Sequence, residues 1–271
     1  MYLDYYGLKQ APFDLTPNPH FLFHSQKHRE AYNHLLYGIC ERKGFVQLTG
    51  EVGAGKTTLC RALLEQLNGI FSTALILNPV MDADALMRAI ATEFGLDVRG
   101  RDRFETITAI SEFLLQQVQQ GRETVLIIDE AQNLTEELLE QIRLLSNIET
   151  DDRKLLQIVL LGQPELRDRL DSPRLRQLRQ RITVRYHLVP LTQAEVSQYI
   201  QYRLELAGAL DTPHFTQPAV WRVFNYSQGI PRLINAVCDK ALLAGCVDQS
   251  NQITYRMVNR AIRELEGNIH L

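Results

Sequence analysis

One glycine-rich segment of the sequence has the residue types and spacing that could hold a phosphate group. Gly50, Gly55, Lys56 and Thr57 fit the pattern G-x-x-x-x-G-K-[ST] in full. Glycines at this spacing let successive backbone N–H groups turn toward phosphate oxygens, and a helix that starts here adds its electropositive N-terminus. Lysine and threonine at these positions can reach the outer phosphates of a nucleotide and Mg²⁺. The remaining residues of the predicted phosphate loop are Glu51, Val52, Gly53, Ala54 and Thr58.

A pair of adjacent carboxylates follows an apolar run of four residues, Val125-Leu126-Ile127-Ile128. Asp129 would hold Mg²⁺ through water, and Glu130 would polarise a water molecule for attack on a phosphate. The alternative is that Asp129 only caps the next helix, although that helix could also begin near Thr135. Together with the phosphate loop, the pair predicts a nucleotide hydrolase.

Two further polar residues stand where chain segments change direction. Gln163 follows the apolar run 158–161 and Gly162, where it could orient the attacking water. It could equally lie exposed in a strand-to-helix turn, with Pro164 at the first helical position. Arg232 opens a helix after Gly229 and Pro231, where a cation opposes the helix dipole. An anionic partner such as a γ-phosphate would explain it, and a surface arginine is the alternative.

Residues 167–185 hold seven arginines against two aspartates. Such a run can be a solvated helix face, a contact to nucleic-acid phosphates, or the source of an arginine supplied to a neighbouring subunit's nucleotide. Arg181 precedes a predicted strand and is our first choice for that arginine finger. Arg179 is second, and Arg176 remains open.

The pattern of apolar residues predicts strands and helices in alternation up to residue 190, and helices alone beyond it. The predicted strands are 45–49, 73–78, 123–129, 155–161 and 182–188; the predicted helices are 26–42, one directly after the phosphate loop, 83–95, 104–120, 135–148, 192–208, 216–227, 231–246 and 254–266. Strands that are apolar on both faces predict a parallel sheet covered by helices. We expect an N-terminal arm at 1–24, an α/β domain at 25–190 and a helical domain at 191–271.

The arm is rich in proline and aromatic residues, and we expect it to be extended, with Phe13, Phe21 and Phe23 holding it on a surface. No apolar run approaches the ~20 residues that cross a bilayer. The N-terminus has no signal-peptide pattern, and the four cysteines are far apart. The net charge of −3 does not indicate a generally basic surface. We expect a cytoplasmic protein that reaches a membrane only through a partner.

Several stretches together resemble the AAA+ ATPases of the ExeA/GspA and MshM group. They are MYLDYYGLKQAPFDLTPNPHFLF, HREAYNHLLYGI, GFVQLTGEVGAGKTTLCR, VLIIDEAQNL, LLGQPELRDRL, LRQRI and GIPRLIN, and they cover essentially the whole chain. The resemblance implies a P-loop α/β domain with a five-stranded parallel sheet flanked by helices, followed by an all-helical lid. It makes residues 50–57 the Walker A motif and Asp129-Glu130 the Walker B motif. Gln163 falls at sensor 1, Arg181 near the arginine finger and Arg232 at sensor 2.

The resemblance also implies ATP and Mg²⁺, an ATP-dependent homo-oligomer such as a ring, and a partner in an envelope or inner-membrane assembly. Members of the group serve type II secretion, including secretin assembly, and MSHA-type pili, so this chain would act at the cytoplasmic face of the inner membrane. ExeA-like chains continue into a transmembrane segment, so this one is either a short MshM-like member or an ATPase domain. The competing hypothesis is a DNA-bound regulator of the TniB/TnsC type. The basic stretch favours DNA, whereas the net charge and the lack of a helix-turn-helix pattern in 192–266 argue against it.

Overall fold

In the computed structural model the chain forms two compact units. The sheet unit comprises residues 27–50 and 59–188, and the lid unit comprises residues 1–26, 51–58 and those from 189 onward. The residues that the structure describes are 1–16, 18–150, 153–210 and 212–267.

Five parallel strands form the centre of the sheet unit. They are β1 (Phe45–Gly50), β2 (Phe71–Ile76), β3 (Glu123–Ile128), β4 (Leu156–Gly162) and β5 (Ile182–Leu188). Their order across the sheet is β2-β3-β4-β1-β5. Thr49 lies opposite Gly162, and Ile128 opposite Leu160, so β1, β3 and β4 end at the same edge. The parallel five-stranded sheet is therefore confirmed.

Helices connect the strands, as parallel pairing requires. They are α3 (Lys56–Leu67), α4 (Ala83–Glu93), α5 (Arg103–Gln119), α6 (Glu136–Leu145), α7 (Pro164–Leu170) and α8 (Arg176–Arg181), while α2 (Gln26–Cys40) precedes β1. Local signals set several of their starts. Asp102 and Glu105 form a capping box at α5, and the Thr135 hydroxyl accepts the Leu138 N–H at α6. The apolar pattern does not predict α8, which has only six residues.

The core of the sheet unit follows from strands that are apolar on both faces. All residues of β1 and β4 are buried, as are Thr124–Ile128 of β3. Strands buried in this way need helices on both faces of the sheet. The prediction for β2 was two residues too late, because its pairing with β3 runs from Phe71 to Ile76 and Leu77 is already exposed.

The lid unit is built mainly of helices around its own core. They are α1 (Tyr2–Tyr6), α9 (Gln193–Leu206), α10 (Gln217–Ser227), α11 (Pro231–Val247) and α12 (Tyr255–Leu265). The expectation of no strand beyond residue 190 was wrong in one detail. Two short parallel strands, β6 (His214–Phe215) and β7 (Gln252–Ile253), pair with each other. Two residues are too few for an apolar alternation to show in a sequence.

The N-terminal arm packs on the lid helices through its aromatic residues, as expected. Phe13 is only 1% exposed, and its ring meets Phe215 edge-to-face. The Tyr6 hydroxyl donates to the Ser250 carbonyl at 3.0 Å. The arm is not extended throughout, because its first residues form the helix α1. This helix ends at its C-cap Gly7, before the prolines begin. Pro17, part of the predicted pattern, lies outside the described residues.

Candidate active site

The phosphate loop leaves the sheet at the end of β1 and ends in the first turn of α3. Gly53 and Gly55 both have positive φ, 78° and 99°. Ala54 is buried, and its N–H donates to the Glu51 carbonyl at 3.1 Å, whereas Val52 is about half exposed. The loop therefore has the tight turn that brings backbone N–H groups toward one point.

Lys56 is the first residue of α3 and is 6% exposed. Its Nζ donates to the Glu51 carbonyl at 3.0 Å, so the ammonium group lies inside the loop. Thr57 and Thr58 follow in the first turn of the helix and are half-buried. A buried ammonium beside a helix N-terminus is an environment that favours an anionic ligand.

Within the lid unit, α11 begins against the phosphate loop. The Arg232 N–H donates to the Gly53 carbonyl at 3.2 Å. A Cβ added at Gly53 would lie 2.5 Å from the Arg232 Cβ, so only glycine allows this approach. This backbone bond brings Arg232 and the phosphate loop together. The Arg232 side chain itself is exposed.

Within the sheet unit, the acidic pair follows β3 at the carboxyl edge of the sheet. Asp129 is 3% exposed, and its N–H donates to the Ile76 carbonyl at 2.8 Å. Its carboxylate accepts the Glu130 N–H at 2.9 Å. Burial raises the pKa of the nearby Cys60 thiol, and the negative charge of Asp129 raises it further. Cys60 in α3 is thus an inert thiol beside the carboxylate.

Glu130 and Gln163 lie together at this edge, although 33 residues separate them in the sequence. Gln163 is the residue before α7, and its side-chain Nε2 donates to Glu130 Oε2 at 3.3 Å. Both side chains are half-buried. The alternative of a Gln163 simply exposed in the turn does not match this contact.

A residue that the sequence analysis did not single out connects the two. Gln132 lies in a short 3-10 turn, Ala131–Asn133, and donates its Nε2 to Glu130 Oε2. Its Oε1 accepts the Gln163 N–H at 3.0 Å. The signal was present in the motif Asp-Glu-Ala-Gln, but the spacing alone did not show that both amide atoms would be used.

Arg181 lies at the opposite edge of the sheet from Glu130, because it immediately precedes β5. Strand β5 has seven residues, about 23 Å at ~3.3 Å per residue. The Arg181 Nη1 donates to the Ser146 hydroxyl at 3.0 Å. Arg181 therefore does not approach Glu130 of its own chain.

The neighbouring arginines differ in their partners. Arg179 pairs with Asp171 at 3.2 Å, and Arg174 lies 3.5 Å from Glu136. Arg176 is exposed and makes no side-chain hydrogen bond or ion pair with any described residue. The arginine stretch is thus partly neutralised in its own fold.

Residues that could hold a metal are few in the described part of the chain. No group of three His, Cys, Asp or Glu side chains converges there as a metal cage. Mg²⁺ in nucleotide sites typically uses one or two protein oxygens together with phosphates and water. The buried Asp129 carboxylate in the sheet unit is an oxygen ligand of that kind, and so is the Thr57 hydroxyl in the lid unit; the chemistry of each fits Mg²⁺ held with a nucleotide.

Comparison with known sequences gives two matches of different reach. A family described as an AAA domain matches residues 40–170. General secretion pathway protein A of Aeromonas hydrophila is 46% identical over 268 residues, which is 98% of this chain and 49% of that protein. The chain thus spans about half the length of this relative. None of the described helices combines the length and apolar character needed to span a bilayer.

Several solved structures have the same fold as this chain. Cdc6p from Pyrobaculum aerophilum has a TM-score of 0.73 at 16% identity, covering 94% of this chain and 70% of that one. Aeropyrum pernix ORC2, in ADPNP–ADP complexes, has a TM-score of 0.69 at 17% identity, with 97% and 73% covered. Thermotoga maritima RuvB, a Holliday junction branch migration motor, has a TM-score of 0.60 at 20% identity, with 90% and 70% covered. At these identities the likeness shows the fold alone.

The family follows from the agreement of these findings with the geometry. The fold of these solved structures agrees with a parallel sheet in this chain that leads into a phosphate loop and an Asp-Glu pair. The sequence identity extends over both units of the chain. This chain therefore belongs to the AAA+ ATPases, in the group of general secretion pathway protein A.

Proposed function

We propose that this chain hydrolyses Mg²⁺-bound ATP and uses the reaction to change its shape and assembly. The observation that supports this most directly is the contact of Glu130 with Gln163 at the carboxyl edge of the sheet. Strand β1 enters the phosphate loop at that same edge, since Thr49 lies opposite Gly162. Ligands of open parallel sheets bind at this edge.

The phosphate loop would bind the triphosphate through its backbone N–H groups and Lys56. Lys56 would exchange the Glu51 carbonyl for phosphate oxygens, and a phosphate is the stronger partner for an ammonium. Residues 50–58 are thus proposed as the nucleotide-binding segment. Thr57 and Asp129 would hold Mg²⁺, directly and through water, and the ion would neutralise charge on the phosphates.

Glu130 would accept a proton from the attacking water, and Gln163 would orient that water. The water oxygen then bonds to the γ-phosphorus, the bond from phosphorus to the β,γ-bridging oxygen breaks, and ADP leaves with that electron pair. Arg232 would stabilise the charge on the γ-phosphate. The Arg232 N–H bonds to the Gly53 carbonyl, so a change in the loop on nucleotide binding would also move the start of α11.

We propose Arg181 as the arginine supplied to a neighbouring subunit. Its place at the far edge of the sheet from Glu130 supports action on another copy rather than on its own nucleotide. The bond to Ser146 would then be exchanged for a phosphate contact. Arg176 is the competing choice, because it is exposed and has no partner within the described residues.

The cellular role we propose is energising or positioning an envelope assembly, such as a type II secretion secretin or an MSHA-type pilus. The similarity to general secretion pathway protein A supports it. The chain would then work as a homo-oligomer at the cytoplasmic face of the inner membrane, through a membrane partner. The boundaries 1–24, 25–190 and 191–271 remain our proposal for the arm, the ATPase domain and the lid domain.

The competing function is a DNA-bound ATP switch, which the unpaired Arg176 on a basic stretch favours. ATP turnover over a series of protein concentrations, with and without double-stranded DNA, separates the two. A specific rate that rises with concentration and ignores DNA supports the envelope ATPase. A rate that requires DNA and falls steeply with salt supports the switch. No turnover under any condition, or equal turnover by wild type and Glu130→Gln, contradicts the assigned hydrolysis.

A further inference from the structure

Both the oxygen and the nitrogen of the Gln132 side-chain amide make hydrogen bonds, close to the Asp129-Glu130 pair that follows β3. Its oxygen accepts the backbone N–H of Gln163, and its nitrogen donates to Glu130 Oε2. The first bond fixes which way the amide faces, because only the oxygen can accept from an N–H. The NH₂ group is therefore left to point at the carboxylate.

The strand ends leave space for this arrangement. A Cβ at Gly162 would lie 3.0 Å from Gln132 Oε1 and 2.8 Å from Leu166 Cδ2. A larger residue at Gly162 would therefore displace the Gln132 amide. The turn that carries Gln132 is also held from its other side, because the Asn133 N–H donates to the Glu130 carbonyl at 2.9 Å.

The effect on Glu130 is asymmetric. Its Oε2 receives two amide donors, from Gln132 and Gln163. Its Oε1 has no hydrogen-bond donor among the described residues. Glu130 also has a positive φ of 52°, a backbone conformation that costs a non-glycine residue free energy and needs support from its surroundings. The carboxylate is thus held by one oxygen, and the other is available to a water molecule.

We propose that Gln132 is a positioning residue for ATP hydrolysis: it orients the Glu130 carboxylate and ties it to Gln163, so that Oε1 faces the attacking water. The inference rests on the hydrolytic role proposed above for Glu130. Gln132 does not contact the nucleotide in this scheme. The Gln163 N–H fixes its amide, and it acts on hydrolysis only through the carboxylate of Glu130. Its removal should lower kcat and leave ATP affinity unchanged.

The first test does not depend on activity. Backbone amide hydrogen exchange by NMR should show a protected Gln163 N–H in the wild type. Gln132→Met, which has a similar length and no hydrogen-bonding amide, should lose that protection. Gln132→Glu keeps an acceptor oxygen and should retain it. Unchanged protection in Gln132→Met would mean that the connection to Gln163 does not exist, and the proposal falls.

The second test is kinetic. Gln132→Met should lower kcat by about tenfold to a hundredfold at unchanged KM and unchanged Kd for a fluorescent ATP analogue. Gln132→Glu should also lower kcat, since it places a second carboxylate against Glu130. Asn133→Met, an exposed change in the same turn, is the matched control and should keep the wild-type rate.

A double mutant separates positioning from general damage to the fold. In a Glu130→Gln background, Gln132→Met should cost no further activity in single-turnover assays, because it acts only through Glu130. A further loss in that background, or a weaker Kd for the analogue, would overturn the proposal. If the wild type itself shows no turnover, the hydrolytic function fails, and exchange at Gln163 still decides whether Gln132 makes its contact.

Discussion

The backbone N–H of Arg232 donates to the carbonyl of Gly53, at 3.2 Å, and this bond joins the start of α11 to the phosphate loop. The first N–H groups of a helix have no partner within the helix. Here the loop supplies one, and Pro231 before it has no N–H to satisfy. The lid unit therefore contains a direct hydrogen bond from α11 to the phosphate loop.

Gly53→Ala should break this link. A positive φ costs alanine about 1–2 kcal/mol of free energy. Its Cβ would also collide with the Arg232 Cβ, and relieving that collision would require the backbone of α11 to move. We expect ATP affinity to fall by at least about tenfold, and the free energy of unfolding to fall by more than the φ cost alone. Gly7→Ala is the matched control, because Gly7 has φ of 66° in the same unit and open space around it. Equal losses in urea unfolding for the two variants would show that the contact with Arg232 is unimportant.

Lys56→Ala should weaken nucleotide binding by about a hundredfold or more. Losing an ammonium that bonds phosphate oxygens costs roughly 3 kcal/mol or more, or about a hundredfold in Kd. Equilibrium titration with a fluorescent ATP analogue measures it directly. Lys27→Ala, which removes an exposed lysine paired with Glu30, serves as the control and should bind normally. Tight binding by Lys56→Ala would refute the assignment of the phosphate loop.

Mixing inactive variants tests whether an arginine acts in trans. Arg181→Ala and Glu130→Gln should each be inactive, and mixed oligomers should regain turnover wherever an intact site meets an intact arginine. The same mixture made with Arg176→Ala identifies which residue is the finger, since only that residue's variant is inactive and complemented. Arg181→Ala that is inactive yet never complemented, under conditions of confirmed assembly, would contradict the trans assignment.

Arg203 should hold the N-terminal arm on the lid helices. It is 7% exposed, and its guanidinium donates to the carbonyls of Pro12, Phe21 and Asp14 while stacking on the Phe21 ring. Arg203→Met leaves those carbonyls without their donor, and we expect a loss of about 3 kcal/mol in the free energy of unfolding. Faster proteolysis within the arm should accompany it. Arg256→Met, an exposed arginine in α12, should leave both unchanged; an equally stable arm in Arg203→Met would contradict this role.

Much of the fold was predictable because its signals are local. Strand β5 alternates buried residues (Ile182, Val184, Leu188) with more exposed ones, and its predicted limits 182–188 agree with the structure. Likewise α11 was predicted from Pro231 at its first turn and observed as Pro231–Val247. Signals failed where they were short or ambiguous. The strands β6 and β7 have two residues each, and the apolar run beginning at Thr73 did not show where β2 begins.

The candidate site divides in the same way. The phosphate loop and the Asp129-Glu130 pair were predictable from the sequence, because a loop of nine residues and a strand end are specified by neighbouring residues. The contacts that organise them were not. Gln132 meets the Gln163 N–H across 31 positions only because β3 and β4 are adjacent and end at one edge.

The sequence by itself therefore determined the chemistry of the phosphate loop, the Asp-Glu pair and the class of fold, since each depends on residue type and near spacing. Only the tertiary structure decided which oxygen of Glu130 is held, that Arg181 lies at the far edge of the sheet, and that Arg203 is buried under the arm. The physical reason is that strand order and helix packing bring together residues far apart in the chain. A pattern of neighbouring residues does not show which distant residues will be in contact.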